Sequence, residues 1–398
     1  MFEKIELAQA DPILGLNDAF KKDPNPGKIN LGVGVYKTEE GDTPVLECVK
    51  KAEKIILDTE KTKNYLGIQG IDEYCSLVRE LVFGKSSEIL NAKRAVTAQT
   101  PGGTGALHVA ADFIHKFFPQ AKIWISDPTW ENHVKIFSSV GIETQTYPYY
   151  DPSLKGLNFE KFKNTISEVP REDVVLFHAC CHNPTGTDFS GTQWQEIANI
   201  AAKKGFSVLF DFAYQGFGNG LDEDATGIRI FTEKNKNFFV ATSYSKNFGV
   251  YNERAGALTV VAESSTQADH VLSQLKLCAR TNYSNPPAHG ATIVTTILLS
   301  PELRNLWEKE VSEMRNRINN YRKLFVETLK TKSVKQDFSF IINQRGMFSY
   351  TGLTKEQVAK LRDKYAIYMV SSGRINVAGL NKKNIGKVCD AIADVLGN

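Results

Sequence analysis

The sequence predicts an α/β protein in which a mostly parallel sheet lies between helices and a smaller α+β domain follows. Two observations support this prediction. Up to Ala262, short and almost continuously apolar runs recur, with helical patterns between them. After Pro301 the pattern changes to one long helix followed by short strands and helices. Near-continuous apolar strands are typical of parallel sheets that helices cover on both faces.

Six runs in the first part are predicted to be strands because they are short, mainly apolar and bounded by turn-forming residues. They are Val96–Thr100, Lys122–Ser126, Val174–Cys180, Ser207–Asp211, Phe238–Ser243 and Ala255–Ala262. Helices are predicted at Ala106–Phe118 and Thr192–Lys203. In sheets of this kind, ligands bind outside the carboxyl ends of the strands. We therefore expect the polar residues that follow these runs to converge.

The pattern after Pro301 predicts the smaller domain. Glu302–Lys330 has apolar residues at helical spacing and is predicted to be one long helix. The segment around Ile29–Tyr36 is expected to join this domain. Further strands are expected at Phe338–Ile342, Met347–Tyr350 and Ile375–Val377, with helices near Lys355–Tyr365 and Lys382–Leu396.

The composition excludes several classes of protein. With 48 Lys and Arg against 45 Asp and Glu, the net charge is +3, and no run of like charge favours a nucleic-acid or membrane partner. No stretch of about 18 apolar residues predicts a membrane span. The first residues lack a signal-like apolar run, so secretion is not expected. The six cysteines are dispersed without a C-x-x-C pair, which favours reduced thiols and a cytoplasmic location.

Lys246 follows the fifth predicted strand, in the sequence Ser243-Tyr244-Ser245-Lys246. Desolvation and a nearby cation can lower the pKa of such a lysine, and the neutral amine can then attack a carbonyl to form a Schiff base. Arg254, eight residues later, has the planar fork that suits a phosphate. On these four residues alone, however, a solvated surface lysine remains the preferred interpretation.

Asp211 ends the run Val208-Leu209-Phe210, so its carboxylate should emerge at the ligand edge of the sheet. A pyridine nitrogen beside it would be protonated, and the ring would become an electron sink. Tyr214, three residues later, could donate a hydrogen bond to a phenolate oxygen. A helix cap or a turn explains Asp211 equally well.

Three further strand-end features suit a ligand. Asn183 lies in His182-Asn183-Pro184-Thr185-Gly186, where the prolines and glycines form turns and the amide is left to bind. Gly102–Gly105 lies between a strand and a helix, where bare amides can bind phosphate, although many such loops are only tight turns. Trp130 offers a flat apolar face, although a single tryptophan is more often part of a core.

Together these residues resemble the class I aspartate aminotransferase family of fold type I enzymes that use pyridoxal 5′-phosphate, and its bacterial members in particular. The resemblance implies a large domain with a mostly parallel seven-stranded sheet, and a homodimer that shares its active sites. It also implies an N-terminal arm at 1–12, a small domain at 13–45 and 313–398, and a large domain at 46–312. The matching segments are Asn64–Gly67, Pro101–Gly105, Asp127–His133, Cys180–Gly186, Asp211–Phe217, Ser243–Arg254, Tyr283–Gly290 and Ser371–Gly379.

The resemblance assigns the cofactor site residue by residue. It implies that Lys246 holds the cofactor as a Schiff base and moves the proton between the α-carbon and C4′, while Asp211, helped by His133, pairs with the ring nitrogen. Tyr214 and Asn183 would bond the ring phenolate, and Trp130 would stack on the ring. The phosphate would be bound by Gly103, Thr104, Ser243, Ser245 and Arg254, with Tyr65 from the neighbouring subunit. Many relatives have serine where this chain has Gly102, so the resemblance implies one hydroxyl donor fewer in the phosphate site of this chain.

The resemblance also assigns the substrate site. Arg374 would clamp the α-carboxylate bidentately and so select the C–H bond that is broken. Arg280 would reach a side-chain carboxylate from the partner subunit. Gly34 would lie close to the substrate backbone, next to Trp130 and Asn183, and the entrance would be lined by Ile13 and Leu14. Without the resemblance, surface salt bridges would explain both arginines.

The activity implied is the reversible transfer of the amino group of L-aspartate to 2-oxoglutarate, giving oxaloacetate and L-glutamate. An aromatic-amino-acid aminotransferase of the same family is the closest alternative, although Asn285–His289 favours the aspartate branch. A serine acyltransferase could use Ser243 and Lys246 as an S-x-x-K pair, but no Lys-Thr-Gly follows. A non-catalytic binding protein on the same fold is disfavoured, because Lys246, Asp211 and Arg374 are retained together.

Overall fold

The structure is a computed structural model that describes residues 2–7, 14–332 and 334–397, with the side chain of Leu14 excepted. The chain divides into two compact units. The large unit is Pro44–Asn316, and the small unit combines Met1–Thr43 with Arg317–Asn398. Among the described residues, no helix combines the length and the apolarity that a membrane span needs.

The helices and strands have the following bounds. The helices are α1 (Leu14–Lys22), α2 (Glu47–Thr59), α3 (Asp72–Phe83), α4 (Glu88–Asn91), α5 (Gly102–Phe117), α6 (Asn132–Ser139), α7 (Phe159–Ile166), α8 (Gly191–Lys204), α9 (Thr226–Thr232), α10 (Ser265–Asn282), α11 (His289–Leu299), α12 (Pro301–Thr331), α13 (Lys355–Tyr365) and α14 (Ile385–Val395). The strands are β1 (Ile29–Asn30), β2 (Ala95–Pro101), β3 (Ile123–Asp127), β4 (Thr144–Pro148), β5 (Tyr150–Asp151), β6 (Gly156–Leu157), β7 (Val174–His178), β8 (Ser207–Phe212), β9 (Phe238–Ser243), β10 (Ala255–Val261), β11 (Phe348–Tyr350), β12 (Ile367–Tyr368) and β13 (Arg374–Asn376).

The main sheet of the large unit has seven strands within the described residues, in the order β2-β10-β9-β8-β7-β3-β4. Neighbouring strands are parallel except for β10, which runs antiparallel to both β2 and β9. The predicted mostly parallel, seven-stranded sheet between helices is therefore confirmed. Strand β4 was not among the six predicted strands, because its Thr-Gln-Thr sequence is polar and partly exposed at the edge of the sheet.

The core of the large unit explains why its strands are apolar throughout. Every residue of β9 and β10 is buried, and so is every residue of β8 except Ser207. Helices α5 and α10 contribute small and aliphatic side chains to this core, including Ala110 and Leu275. Each fully buried large aliphatic or aromatic side chain stabilises the fold by roughly 1.5–3 kcal/mol. The strand ends that carry polar residues therefore project from a rigid base.

The described part of the small unit contains two short two-stranded sheets. Strand β1 pairs in parallel with β12, and β11 pairs antiparallel with β13. The prediction of a strand at Phe338–Ile342 was wrong, because Ser339–Asn343 forms a 3₁₀ helix. The Asp337 carboxylate accepts hydrogen bonds from the backbone N–H and the hydroxyl of Ser339. Such local bonds stabilise a turn in competition with strand pairing.

Glu310 on α12 caps the first turn of α2. The residue before this helix, Leu46, offers no side-chain cap, and the Glu310 carboxylate accepts hydrogen bonds from Glu47 N at 2.7 Å and Cys48 N at 3.1 Å. The first N–H groups of a helix have no partner within it, and the helix dipole favours an anion there.

We expect Glu310→Ala to lower the free energy of unfolding by about 1–2 kcal/mol, because two N–H groups lose their acceptor. Urea titration followed by circular dichroism measures this loss. Glu313→Ala is the matched control, since Glu313 lies on the same helix with 64% of its side chain exposed. Equal losses in the two variants would contradict the capping role.

Candidate active site

The strand register brings several predicted polar residues to one edge of the sheet. His178, the last residue of β7, is paired with Asp211 in β8. Ser243 ends β9, and its neighbour in the antiparallel β10 is Gly256. Strand β10 runs in the opposite direction, so it begins at the edge where the parallel strands end. Arg254, the residue before β10, therefore lies at this same edge. The carboxyl ends of the parallel strands and the start of β10 therefore form one polar surface.

Asp211 is buried and held in its ionised form. Its Oδ2 lies 3.0 Å from Nε2 of the fully buried His133, whose Nδ1 lies 2.8 Å from Thr129 Oγ1. Burial alone would raise the pKa of Asp211. The hydrogen bond from His133 and the positive charges nearby, including that of Lys246, outweigh burial and hold this pKa below its ordinary value. The site thus presents a buried carboxylate.

Lys246 lies next to this carboxylate with an amine that loses its proton easily. Burial, aided by the charge of Arg254 and opposed by that of Asp211, lowers the pKa of Lys246 to about 8. Its Nζ lies 4.7 Å from the centre of the Tyr214 ring. A substantial fraction of the amine is therefore neutral near pH 8 and able to act as a nucleophile or a base.

A cup of small and basic groups lies beside Lys246. Arg254 Nη1 donates to Ser245 Oγ at 3.4 Å, and the Ser243 and Ser245 hydroxyls lie 3.3 Å apart. Gly103 and Thr104 lie in the first turn of α5, where the N–H groups lack helical partners. Such a combination of bare amides, hydroxyls and a guanidinium suits a phosphate.

Gly102 also affects the shape of this cup, apart from lacking the hydroxyl that a serine would supply. Its φ is +72°, and a Cβ added to it would lie 2.4 Å from Arg254 Nη2. A serine here would therefore displace the guanidinium. In this chain, Gly102 allows Arg254 to approach the backbone closely.

Trp130, Tyr214 and Asn183 belong to loops that follow strands of the same sheet. The Trp130 ring meets the His133 ring edge to face, with centroids 5.2 Å apart. Tyr214 and Asn183 are both buried. The loop after Tyr214 is secured by the Asp224 carboxylate, which accepts hydrogen bonds from four of its backbone N–H groups, those of Gly216, Gly218, Asn219 and Gly220.

Two predicted site residues lie elsewhere in the large unit. The side chain of Tyr65, in the connection between α2 and α3, is 92% exposed. Arg280 lies in the last turn of α10, is exposed, and donates to the Ser284 hydroxyl. Both were expected to act on a neighbouring subunit, and their exposed positions leave them available for that.

Arg374 and Gly34 lie in the small unit. Arg374 is buried on β13, and its Nη2 donates to Gly32 O at 2.7 Å. A Cβ on Gly34 would lie 2.6 Å from Cζ of Phe348. Ile13 lies outside the described residues, as does the side chain of Leu14, so their expected position at the entrance is not described.

His178 was missed by the sequence reasoning. It is buried, its ring centroid lies 5.1 Å from that of His133, and burial together with the charge of His133 lowers its pKa to about 3 despite the opposing effect of Asp211. It is therefore neutral. Only its position in the sequence could have indicated it: His178 ends an apolar strand, and the neighbouring strand ends near Asp211.

The side chains of His133, His178 and Asp211 each have a nitrogen or oxygen atom that could bind a metal ion. These atoms lie within 4.8 Å of one another, which would also suit a metal ion.

The acyltransferase alternative does not fit this geometry. Ser243 is the last residue of β9 rather than the first turn of a helix, and its hydroxyl faces that of Ser245. An S-x-x-K nucleophile would need the lysine one helical turn beyond the serine.

The arrangement defines a known class of enzymes. The family model described as aminotransferase class I and II matches residues 26–392, and the chain belongs to this family. It is 56% identical over 396 residues to the aspartate aminotransferase of Escherichia coli strain K12, with all of both chains covered. It is 45% identical over 394 residues to an aromatic-amino-acid aminotransferase of Pseudomonas aeruginosa, covering 99% of this chain and 98% of the relative.

A solved structure has the same fold. The crystal structure of the aromatic-amino-acid aminotransferase from Burkholderia pseudomallei, described as covalently bound to pyridoxal phosphate, superposes with a TM-score of 0.97 at 48% identity. The alignment covers 100% of this chain and 99% of that one.

Proposed function

We propose that this chain is an aspartate aminotransferase that uses pyridoxal 5′-phosphate. It would transfer the amino group of L-aspartate reversibly to 2-oxoglutarate, giving oxaloacetate and L-glutamate. The observation that carries the proposal is the Lys246 amine, with a pKa of about 8, beside the buried Asp211 carboxylate at the ligand edge of the sheet. The identity of 56% with an aspartate aminotransferase supports the choice of substrate.

The residues at this edge fit the cofactor. A Cβ on Gly103 would lie 2.9 Å from Cβ of Ser243, so the cup beside Lys246 needs a glycine there to keep its backbone close to the serine. The cup is suited to a phosphate, the carboxylate to a ring nitrogen and the amine to an aldehyde. When bound, the cofactor supplies an aldehyde that combines with amines and a pyridine ring that withdraws electrons from the substrate α-carbon.

Each residue has a defined task in the proposal. Lys246, as a neutral amine, would hold the cofactor and would carry the proton to and from the substrate α-carbon. Asp211, kept ionised by His133, would hold a proton on the ring nitrogen. Tyr214 and Asn183 would donate hydrogen bonds to the ring oxygen, and Trp130 would pack on the ring. The phosphate would be held by Gly103, Thr104, Ser243, Ser245 and Arg254, joined by Tyr65 of a second copy.

Substrate recognition in the proposal depends on two arginines. Arg374 would bind the α-carboxylate bidentately, and Arg280 would bind the side-chain carboxylate from the partner subunit. Gly34, Trp130 and Asn183 would lie along the substrate. A homodimer follows from this assignment, and the exposed positions of Tyr65 and Arg280 support it. We also propose a cytoplasmic location, where the dispersed and buried cysteines would stay reduced.

A panel of amino donors tests the proposed substrate. With 2-oxoglutarate as the acceptor, we expect aspartate to give a kcat/KM at least about tenfold above those of tyrosine and phenylalanine, because a second ion pair is available to a dicarboxylate. Steady-state kinetics on the purified protein provide the measurement. Equal or higher values for tyrosine would instead identify an aromatic-amino-acid aminotransferase, and no activity with any donor would sink the proposal.

The Arg280→Leu variant distinguishes recognition of the side-chain carboxylate from recognition of the α-carboxylate. We expect kcat/KM for aspartate to fall about 100-fold and that for phenylalanine to change less than about threefold, since a charged hydrogen bond contributes roughly 1.5–3 kcal/mol. Arg171→Leu, which removes another exposed arginine of the large unit, is the control and should leave both values unchanged. Similar losses for the two substrates would show that Arg280 does not read the side chain.

A further inference from the structure

Arg374 shares one face of a small sheet with an aromatic residue. Strands β11 and β13 pair so that Phe348 lies opposite Asn376 and Tyr350 lies opposite Arg374. Side chains two residues apart on a strand point to the same face, so Phe348 and Arg374 are diagonal neighbours. Ile375 projects from the other face of β13.

Phe348 and Arg374 are in direct contact. The guanidinium carbon of Arg374 lies 4.2 Å from the centre of the Phe348 ring, and both residues are 3% exposed. Arg374 Nη2 also donates to Gly32 O at 2.7 Å. The ring limits how far the guanidinium can tilt, and the carbonyl limits how far it can rotate.

Gly34 completes the support under the ring. A Cβ on Gly34 would lie 2.6 Å from Cζ of Phe348, so any side chain there would push the ring away. The segment that carries Gly34 is held in place by Asn376, whose Nδ2 donates to Val33 O at 2.7 Å and to Val35 O at 2.8 Å. The glycine is therefore required by packing inside the small unit.

The strand that carries Phe348 is itself anchored from α12. Arg322, which is 1% exposed, donates to the carbonyl of Gly346 just before β11 and to Ser349 Oγ within it. Arg322 thus anchors the chain on either side of Phe348, at Gly346 and Ser349, and Gly34 lies against the Phe348 ring.

We propose that Phe348 is a positioning residue for carboxylate recognition, and that Gly34 is glycine so that the Phe348 ring can lie against Arg374. A bidentate bond to a carboxylate forms at a lower entropic cost when the guanidinium plane is fixed before the ligand arrives, and contact with an aromatic face helps to fix it. The inference rests on the proposed function only in assigning the substrate α-carboxylate to Arg374.

Binding of succinate to the holoenzyme tests the inference. Succinate has both carboxylates of aspartate but no amine, so it binds without reacting. We expect Phe348→Leu to raise its Kd about tenfold in isothermal titration calorimetry, since the ring face is lost while an apolar side chain remains. In turnover, the same variant should raise KM for aspartate more than it lowers kcat. Ile375→Val, on the opposite face of β13, controls for general loosening of the sheet and should change Kd less than about twofold.

Two double variants distinguish positioning from simple packing. In an Arg374→Lys background, Phe348→Leu should have almost no further effect on succinate binding, because its effect acts through the guanidinium. As a single variant, Gly34→Ala should weaken succinate binding. Combined with Phe348→Leu, it should cause no further loss, because Phe348→Leu removes the ring atom that the new methyl group would contact. If the factors by which the two single variants raise the Kd for succinate multiplied in either double variant, the inference would be overturned. A wild-type Kd for succinate in Arg374→Lys would instead refute the assignment of Arg374 in the proposed function.

Discussion

Lys246→Ala is expected to lower the rate of aspartate transamination at least about 10⁴-fold, because in the proposed function this one side chain would both hold the cofactor and carry the proton. The pKa of about 8 that makes this amine reactive depends on the burial of Lys246 and on the opposing charges of Asp211 and Arg254. Borohydride reduction should make the lysine–cofactor bond permanent in the wild type. Intact-protein mass spectrometry should then report the added mass in the wild type and not in the variant.

Lys203→Ala is the matched control for this experiment, because Lys203 is an exposed lysine of the same unit on α8. It should keep the activity and the added mass of the wild type. Retention of the covalent adduct in Lys246→Ala would place the attachment at another lysine and contradict the proposed site.

The pH dependence of cofactor uptake follows from the same lysine. Below pH 8 the amine of the folded apoprotein is increasingly protonated, so the rate of covalent uptake should rise with pH and level off above about 8. In the unfolded chain, the Lys246 amine stays protonated up to its ordinary pKa of about 10.5. Unfolded Lys246 therefore binds more protons than folded Lys246 between these values, and its contribution to stability rises with pH across that window. Stopped-flow absorbance measures the uptake, and a flat profile from pH 7 to 9 would contradict the lowered pKa.

Asp211→Ala is expected to lower kcat/KM for aspartate about 10³-fold, which is the effect of removing one preorganised charged partner from a buried site. His133→Ala should cost much less, about tenfold, because His133 acts through the 3.0 Å bond that keeps Asp211 ionised and oriented. Asp211→Glu should recover part of the loss, since the charge is retained and only its position changes.

Single-turnover reaction with aspartate is the appropriate measurement for the Asp211 variants, because it isolates chemistry from product release. Asp269→Ala, which removes an exposed carboxylate from α10, is the control and should react at the wild-type rate. If His133→Ala were as damaging as Asp211→Ala, the two residues would have to act as one unit rather than in the order proposed.

Much of the large unit could be predicted because its strands are buried on both faces. The runs at Val174 and Phe238 are apolar at nearly every position, and this alone marks them as central strands of a covered sheet. Where burial is partial, the pattern is weak. The edge strand β4 is polar and does not show the apolar pattern, and the 3₁₀ helix at Ser339 depends on hydrogen bonds that Ser339 donates to the carboxylate of a single aspartate.

The sequence by itself determined six of the seven strands of the main sheet and the polar residues that follow them, since both follow from the local spacing of apolar side chains. Its motifs also resemble those of a known enzyme family, and the roles of the site residues were inferred from that resemblance. Only the tertiary structure decided that burial lowers the pKa of Lys246, that His133 bonds an aspartate 78 positions away, and that Gly34 makes room for Phe348 against Arg374. Desolvation and packing between distant segments have no periodic signal along the chain, and they become visible only when those segments are brought together.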